Sequence, residues 1–219
     1  MHTKIQEIDL SKLCDMDVEI SSGNPFENLQ YLQAMEESKS AAKNTGWIPS
    51  HLGELDDVKL KSFLPLYKKF NSYGEFIFDH QWANALQQTG RNYYPKLLTA
   101  IPFTPCEGDR VLGGNEVQKI NLIDSCIERL EEEQIESWHI LFPNDAGKKI
   151  FRSQNFIERF NYRFVWHNNN FLSFDDFLSV FTSRQRATIR KERKSIIREE
   201  ITFKSKNFDE ITSKDWDLF

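Results

Sequence analysis

An α/β fold is what this sequence predicts, and three observations predict it. From about residue 94 onward the local patterns run strand, glycine loop, helix, strand, helix, strand, the alternation of layered α/β domains. The chain has 219 residues, enough to bury a core without disulfides. Its 39% hydrophobic and 13% aromatic content, with 18 Phe, belongs to a globular chain and not to a disordered one.

Each element has its own signal. Residues 4–8 read as a short strand. In NPFENLQYLQAMEES, Phe26, Leu29, Leu32 and Met35 fall at helical spacing, with Asn24 as the N-cap before Pro25. GWIPSHLGEL and KLKSFLPLYKKF read as two strands joined by the turn DD, either as a hairpin or as neighbours in one sheet. SYGEFIFDHQWANALQQTG supplies a Phe/Ile/Phe run and then an amphipathic helix closed by Gly90. A strand over residues 94–103 leads into the loop CEGDRVLGG. NEVQKINLIDSCIERLEEEQ carries Val117, Ile120, Ile127 and Leu130 on one helical stripe. SWHILFPN reads as a buried strand, DAGKKIFRSQNF as a helix begun by Asp145, and IERFNYRFVWHN as one bent strand or a tight pair.

Past about residue 170 the character changes. SFDDFLSVF and SRQRATIRKERKSIIREE predict two more helices, ITFKSKNF the start of another sheet, and SKDWDLF a new helix. The expected organisation is a first domain over residues 1–168, then linker helices and the incomplete start of a second domain over 169–219. No repeat or low-complexity tract is visible.

Composition limits the function. With 33 acids against 28 bases the formal charge is −5, which excludes a general nucleic-acid coat and leaves room for a local basic patch. Cys14, Cys106 and Cys126, an odd count with no CxxC, fit idle thiols in a reducing compartment. MHTKIQEIDL has no apolar signal region, and no apolar run approaches about 18 residues, so the expectation is a cytoplasmic protein without a transmembrane segment. The histidines His2, His51, His80, His139 and His167 show no paired ligand spacing, so no metal is expected.

Three constellations could carry chemistry. In CEGDRVLGG, a glycine-rich turn before a helix offers free N–H groups to a phosphate, with Arg110 as a charged contact; the other reading is that Gly108 serves a turn and Gly113 and Gly114 serve helix entry. In YGEFIFDHQW, Glu75, Asp79, His80 and Trp82 lie close in sequence to Tyr93, Tyr94 and Lys96. Glu75 and Asp79 share a face whether the run between them is helical or extended, and either acts as a base if apolar rings raise its pKa; the bland reading is a capping Asp79 and a solvated Glu75. In SRQRATIRKERKSIIRE, Arg186, Arg190, Arg193 and Lys194 cluster on one helical side, able to hold the phosphates of an RNA or of a lipid head group or simply to stay solvated.

The phrases NPF, GWIPSHL, LPLYKK, YGEFIFDHQWANA, YYPKLLTAIPFTP, GDRVL, FDDFL, RKERK and DWDLF, spread from residue 24 to the end, together resemble the bacterial Fem-like "peptidoglycan biosynthesis/recognition" family of the GNAT acyltransferase superfamily. The resemblance implies a GNAT-like fold, a mixed central sheet flanked by helices, with the beginning of a second such domain. In that fold a splayed strand is followed by a pyrophosphate-binding loop and a helix, so Gly108, Arg110, Gly113 and Gly114 become the cofactor-side candidates. The loop departs from the Q/R-x-x-G-x-G/A pattern of CoA-binding members.

The implied activity is transfer of an acyl group to an amine of a small molecule or cell-wall precursor. No cofactor is expected to be tightly bound; the donor is an acyl-CoA or an aminoacyl-tRNA acting as co-substrate. The base would be Glu75 or Asp79, the acid Tyr93 or Tyr94, and the amides near Ile101 to Phe103 would polarise the carbonyl. His51, Trp82 and Lys96 are the expected substrate contacts, and Arg186, Arg190, Arg193 and Lys194 the expected tRNA contact. Two other classes stay open: a non-catalytic module that binds a peptidoglycan precursor or another acidic ligand, and an RNA-interacting protein using the 183–199 helix.

Overall fold

A computed structural model describes residues 3–199 and 201–218. The chain divides into two compact units, Met1–Arg159 and Phe160–Phe219. The first contains β1 (Thr3–Ile8), β2 (Asp17–Val18), α1 (Leu29–Glu37), β3 (Trp47–Pro49), β4 (His51–Asp56), β5 (Lys59–Leu64), β6 (Tyr67–Lys69), α2 (His80–Gln88), β7 (Lys96–Thr99), β8 (Leu112–Gly113), α3 (Glu116–Glu132), β9 (Trp138–Ile140) and α4 (Asp145–Ser153). The second contains α5 (Phe174–Ser179), α6 (Ser183–Arg198) and α7 (Ser213–Leu218). Among the described residues no helix is long and apolar enough to cross a membrane.

The hairpin read around DD is present, with Asp56 opposite Lys59 and Asp57 at φ +59°. Each of its strands breaks beside a proline, at Ser50 just after Pro49 and at Pro65 and Leu66, since proline cannot donate to a ladder. The hairpin is therefore shared between two sheets. Its outer half, β4 and β5, lies in a sheet of order β1-β4-β5-β2 with β8 also on β5; its inner half, β3 and β6, lies in a sheet of order β3-β6-β7-β9. The Ser50 N–H donates to the Leu66 carbonyl at 2.9 Å across the break and keeps the halves in register.

In the second sheet β7 runs antiparallel to β6 and parallel to β9. A parallel pair needs a crossover, and α3 provides it. Strand, glycine loop, helix and parallel strand thus follow one another in a mixed α/β fold. The core around α3 joins Leu122, Ile123 and Cys126 to Leu64, Leu66, Leu97, Trp138 and Phe151. Ile127 and Leu130 pack at its edge, whereas Val117, in the first turn of the helix, is exposed.

Several boundaries differ from the sequence reading. Asn24 caps a single 3-10 turn, Pro25–Glu27, and Asn28 caps α1. The strand expected over 94–103 shortens to four residues, because Pro102 lacks a donor and Phe103 adopts φ +55°. IERFNYRFVWHN forms neither a bent strand nor a pair, and ITFKSKNF forms no strand; most side chains in both stretches are exposed. The two-residue strand β8 lay hidden inside the glycine loop.

Candidate functional site

The site grows out of β6 and β7. Lys69 and Lys96 sit directly opposite each other on this antiparallel pair, and both are fully buried. Like charges in that position repel, and an ammonium removed from water is costly unless paired. The pairing comes from the loop before α2, which reverses at Gly74 (φ +78°) and Phe76 (φ +61°) and brings Glu75 and Asp79 onto the lysines. The run between the two carboxylates is thus neither helix nor strand.

Lys96 Nζ donates to Glu75 Oε2 at 2.6 Å and also to Asp79 Oδ2. Lys69 Nζ lies 3.9 Å from Glu75 Oε1, donates to the Tyr73 carbonyl at 3.0 Å and sits 3.8 Å from the centroid of the Trp47 ring. Asp79 Oδ1 accepts from Arg159 at 3.2 Å. Ser72 Oγ is 3.5 Å from Asp79 and 2.8 Å from the Tyr94 hydroxyl, and the Tyr93 hydroxyl is 3.0 Å from His139 Nε2.

The two carboxyls end in different environments. Burial dominates at Glu75 and pushes it up, against the pull of Lys96. Burial also pushes on Asp79, but the hydrogen bond and charge of Lys96, with His139 and Arg159, outweigh it and hold Asp79 below its ordinary value. Lys69 is pulled down to about 8 by burial. Tyr93 is raised by burial and then by the charge of Asp79, so its proton is firmly held. His139 is pulled down to about 4, first by burial and then by the charge of Lys96. Glu75 Oε1 and Trp47 Nε1 are buried without a hydrogen-bond partner among the described residues.

The cluster touches a second feature. A Cβ on Gly74 would meet the Phe103 ring at 2.5 Å, and Phe103 lies 5.5 Å from Trp47, ring to ring. The Ile101 and Phe103 amides donate to nothing among the described residues. Two unused donors thus belong to the segment packed beside the ring that carries Lys69. Phe70, Tyr73, Phe76 and Phe78 of the loop, with Trp82 of α2, are each more than half exposed, and Arg159 lies 5.4 Å from the Trp82 ring.

The other expected site residues are placed differently. His51 is fully buried: its Nδ1 accepts from the Leu66 N–H at 2.9 Å, so Nε2 carries the proton and donates to Glu36 at 2.7 Å. It is a core histidine and not a substrate contact. Lys96, expected to meet an anionic substrate, is consumed by the two carboxylates. Arg110 is fully buried, its guanidinium donating to the carbonyls of Leu141 (2.6 Å), Asp109 (3.2 Å) and Cys106 and to Glu27 Oε1 (3.2 Å). The expected phosphate contact of Arg110 is replaced by this internal tie.

The glycines follow the same logic. The Gly108 N–H donates to the Phe142 carbonyl at 3.2 Å, and a Cβ there would fall 1.6 Å from Glu27 Oε1. Gly113 and Gly114 adopt φ +64° and +65°, and a Cβ on Gly113 would strike the Lys61 carbonyl at 2.6 Å. Close packing and backbone conformation account for all three, as the turn reading has it. In the second unit Arg186 donates to the Phe181 carbonyl, Arg190 pairs with Asp175 at 3.0 Å and Arg193 lies 4.0 Å from the Phe174 ring. Lys194 has no such partner among the described residues, and His2 lies outside them.

Sequence reasoning missed Lys69, Ser72, His139 and Arg159. An LPLYKKF strand with alternating burial could have flagged Lys69, since its register puts that lysine on the same face as the buried Tyr67. Arg159 carried no local signal. Among the described residues no group of three or more His, Cys, Asp or Glu side chains could hold a metal.

The model of the FemAB-like family, described as peptidoglycan biosynthesis/recognition, matches residues 4–219. Among solved structures, the crystal structure of ribosomal-protein-alanine N-acetyltransferase from Brucella melitensis biovar Abortus 2308 is similar over 76% of this chain and 100% of its own, at 12% identity and a TM-score of 0.43. No curated protein matches the chain.

Two outcomes are expected. Arg110→Lys loses the planar fork and leaves buried carbonyls unpaired, so it should cost about 3–5 kcal/mol, read as a lowered melting midpoint. For His139, the unfolded ring takes its proton near 6.5 and the folded ring only near 4, so between these values the unfolded state binds more protons and stability falls as pH drops. His139→Gln should remove that limb, on the order of 2–3 kcal/mol, in urea unfolding followed across the window.

Proposed function

The chain belongs to the FemAB-like family of peptidoglycan biosynthesis and recognition, and from that membership and the buried charge cluster we propose that its first unit transfers an acyl or aminoacyl group to an amine of a cell-wall precursor. The single observation that carries the reading is Glu75: a buried carboxyl with one oxygen unpartnered and its proton affinity raised. Such a group accepts a proton from an incoming ammonium more readily than a solvated glutamate does. Asp79, held ionised, keeps Lys96 and Arg159 in place around it. Environments that push two neighbouring carboxyls apart are how one site separates a proton-transfer role from an electrostatic one.

In the proposed step the amine nitrogen, after losing a proton to Glu75, attacks the acyl carbon. A C–N bond forms, and the negative charge on the carbonyl oxygen is received by the Ile101 and Phe103 amides. The C–S bond of an acyl-CoA or the C–O bond of an aminoacyl-tRNA then breaks, the leaving sulfur or oxygen takes a proton from Tyr93 or Tyr94, and the proton shed by the new amide nitrogen restores that tyrosine. The raised proton affinity of Tyr93 makes it a weaker acid than an ordinary phenol, which counts against Tyr93 in this step. Trp82 and the exposed loop aromatics offer stacking surface to the acceptor.

A second reading has an observation of its own. Glu75 and Asp79 are both 2% exposed, so a module that binds the precursor without transfer would also keep them as internal counter-charges. One experiment separates the two. With acetyl-CoA or alanyl-tRNA and a soluble muropeptide amine, the wild-type chain should transfer, and Glu75→Gln should lose about 10²–10⁴-fold in kcat with its circular dichroism unchanged. Muropeptide binding with no transfer in the wild type would leave the binding module as the function.

A further inference from the structure

The second unit carries a feature that transfer chemistry does not use. Its helix α6 bears Arg184, Arg186, Arg190, Lys191, Arg193, Lys194 and Arg198 against a single Glu192, in a chain whose net charge is −5. Arg190, Lys191, Lys194 and Arg198 line one concave strip, with the small side chains of Ala187 and Ser195 between them. These positions recur at helical spacing, so four cations share one edge of the helix. Lys191 and Lys194 have no ionic partner among the described residues.

Beside this strip lies an apolar groove. Phe177 is ringed by Trp166, Phe171, Phe174 and Phe181 at centroid distances of 5.9, 5.6, 5.7 and 5.0 Å. The groove is open: Trp166 is 66% and Leu172 96% exposed. Arg193 lies 4.0 Å from the Phe174 ring and Arg190 pairs with Asp175, so groove and cationic strip are adjoining parts of one surface.

We propose that this surface docks on an anionic lipid bilayer, the groove entering the head-group layer and α6 lying along it. Trp and Phe beside a row of Lys and Arg is the combination that holds a helix at such an interface. The aliphatic part of the surface favours lipid over RNA. Leu172, which lines the groove, has no planar face on which a base could stack. The docking rests on the second unit alone and does not depend on the transfer reading.

The test is co-sedimentation of the full chain with vesicles of phosphatidylcholine and with vesicles in which about a third of the lipid is phosphatidylglycerol. The anionic vesicles should bind at least about tenfold more tightly, and added salt should weaken them. Lys191→Gln with Lys194→Gln should remove the difference, and Leu172→Ser should weaken binding to the anionic vesicles. All three side chains are exposed, so an unchanged circular dichroism spectrum should show the fold intact. Equal binding to both vesicle types, or none, overturns the proposal. So does capture by a single-stranded RNA oligomer that displaces the vesicles, which makes the strip a nucleic-acid surface, or a dimer lost in Leu172→Ser, which makes the groove a contact between two copies.

Discussion

The first unit is organised by one electrostatic problem: two lysines placed opposite each other in the interior of a sheet. Neither Lys69 nor Lys96 reaches water. Their mutual repulsion across the β6–β7 ladder has to be offset by counter-charge that a sheet alone does not provide. The loop before α2 folds back to supply Glu75 and Asp79, and the positive φ values at Gly74 and Phe76 follow from that reversal. Arg159 and Ser72 complete the shell around Asp79, and Trp47 and Tyr73 complete that around Lys69.

The same arrangement sets the chemistry. Four buried charges cannot all be equally well neutralised, and the imbalance falls on Glu75, whose Oε1 has, among the described residues, only the more distant Lys69. Its proton affinity rises while that of Asp79 falls. Where the chain leaves β7, the unused Ile101 and Phe103 amides belong to the segment packed against Trp47, so the proposed base and the proposed oxyanion donors derive from one strand and the loop folded over it.

Elements with local signals were legible in the sequence. The DD hairpin, the helix after CEGDRVLGG and the strand, loop, helix, strand order around it could all be read from periodicity and turn residues. The sharing of the hairpin between two sheets could not, because it depends on how Pro49 and Pro65 line up across the ladder. At the site, the grouping of Glu75, Asp79, Tyr93, Tyr94 and Lys96 was visible as residue types close in sequence. Lys69, His139 and Arg159 enter through tertiary contact. Arg110 and His51 misled for the opposite reason: a polar residue beside a glycine loop or a strand looks alike in sequence whether it faces a ligand or satisfies buried groups. Only the partners at Glu27, Leu141 and Glu36 distinguish the two.

The most direct test is a carbon-13 titration of the Glu75 carboxyl in the labelled chain, assigned by its loss in Glu75→Gln. Burial against a shared lysine predicts a midpoint above the ordinary glutamate value of 4.5. A midpoint at or below that value would mean that Lys96 fully neutralises the carboxylate, and Glu75 would then be a structural counter-ion with no capacity to take a proton from an amine.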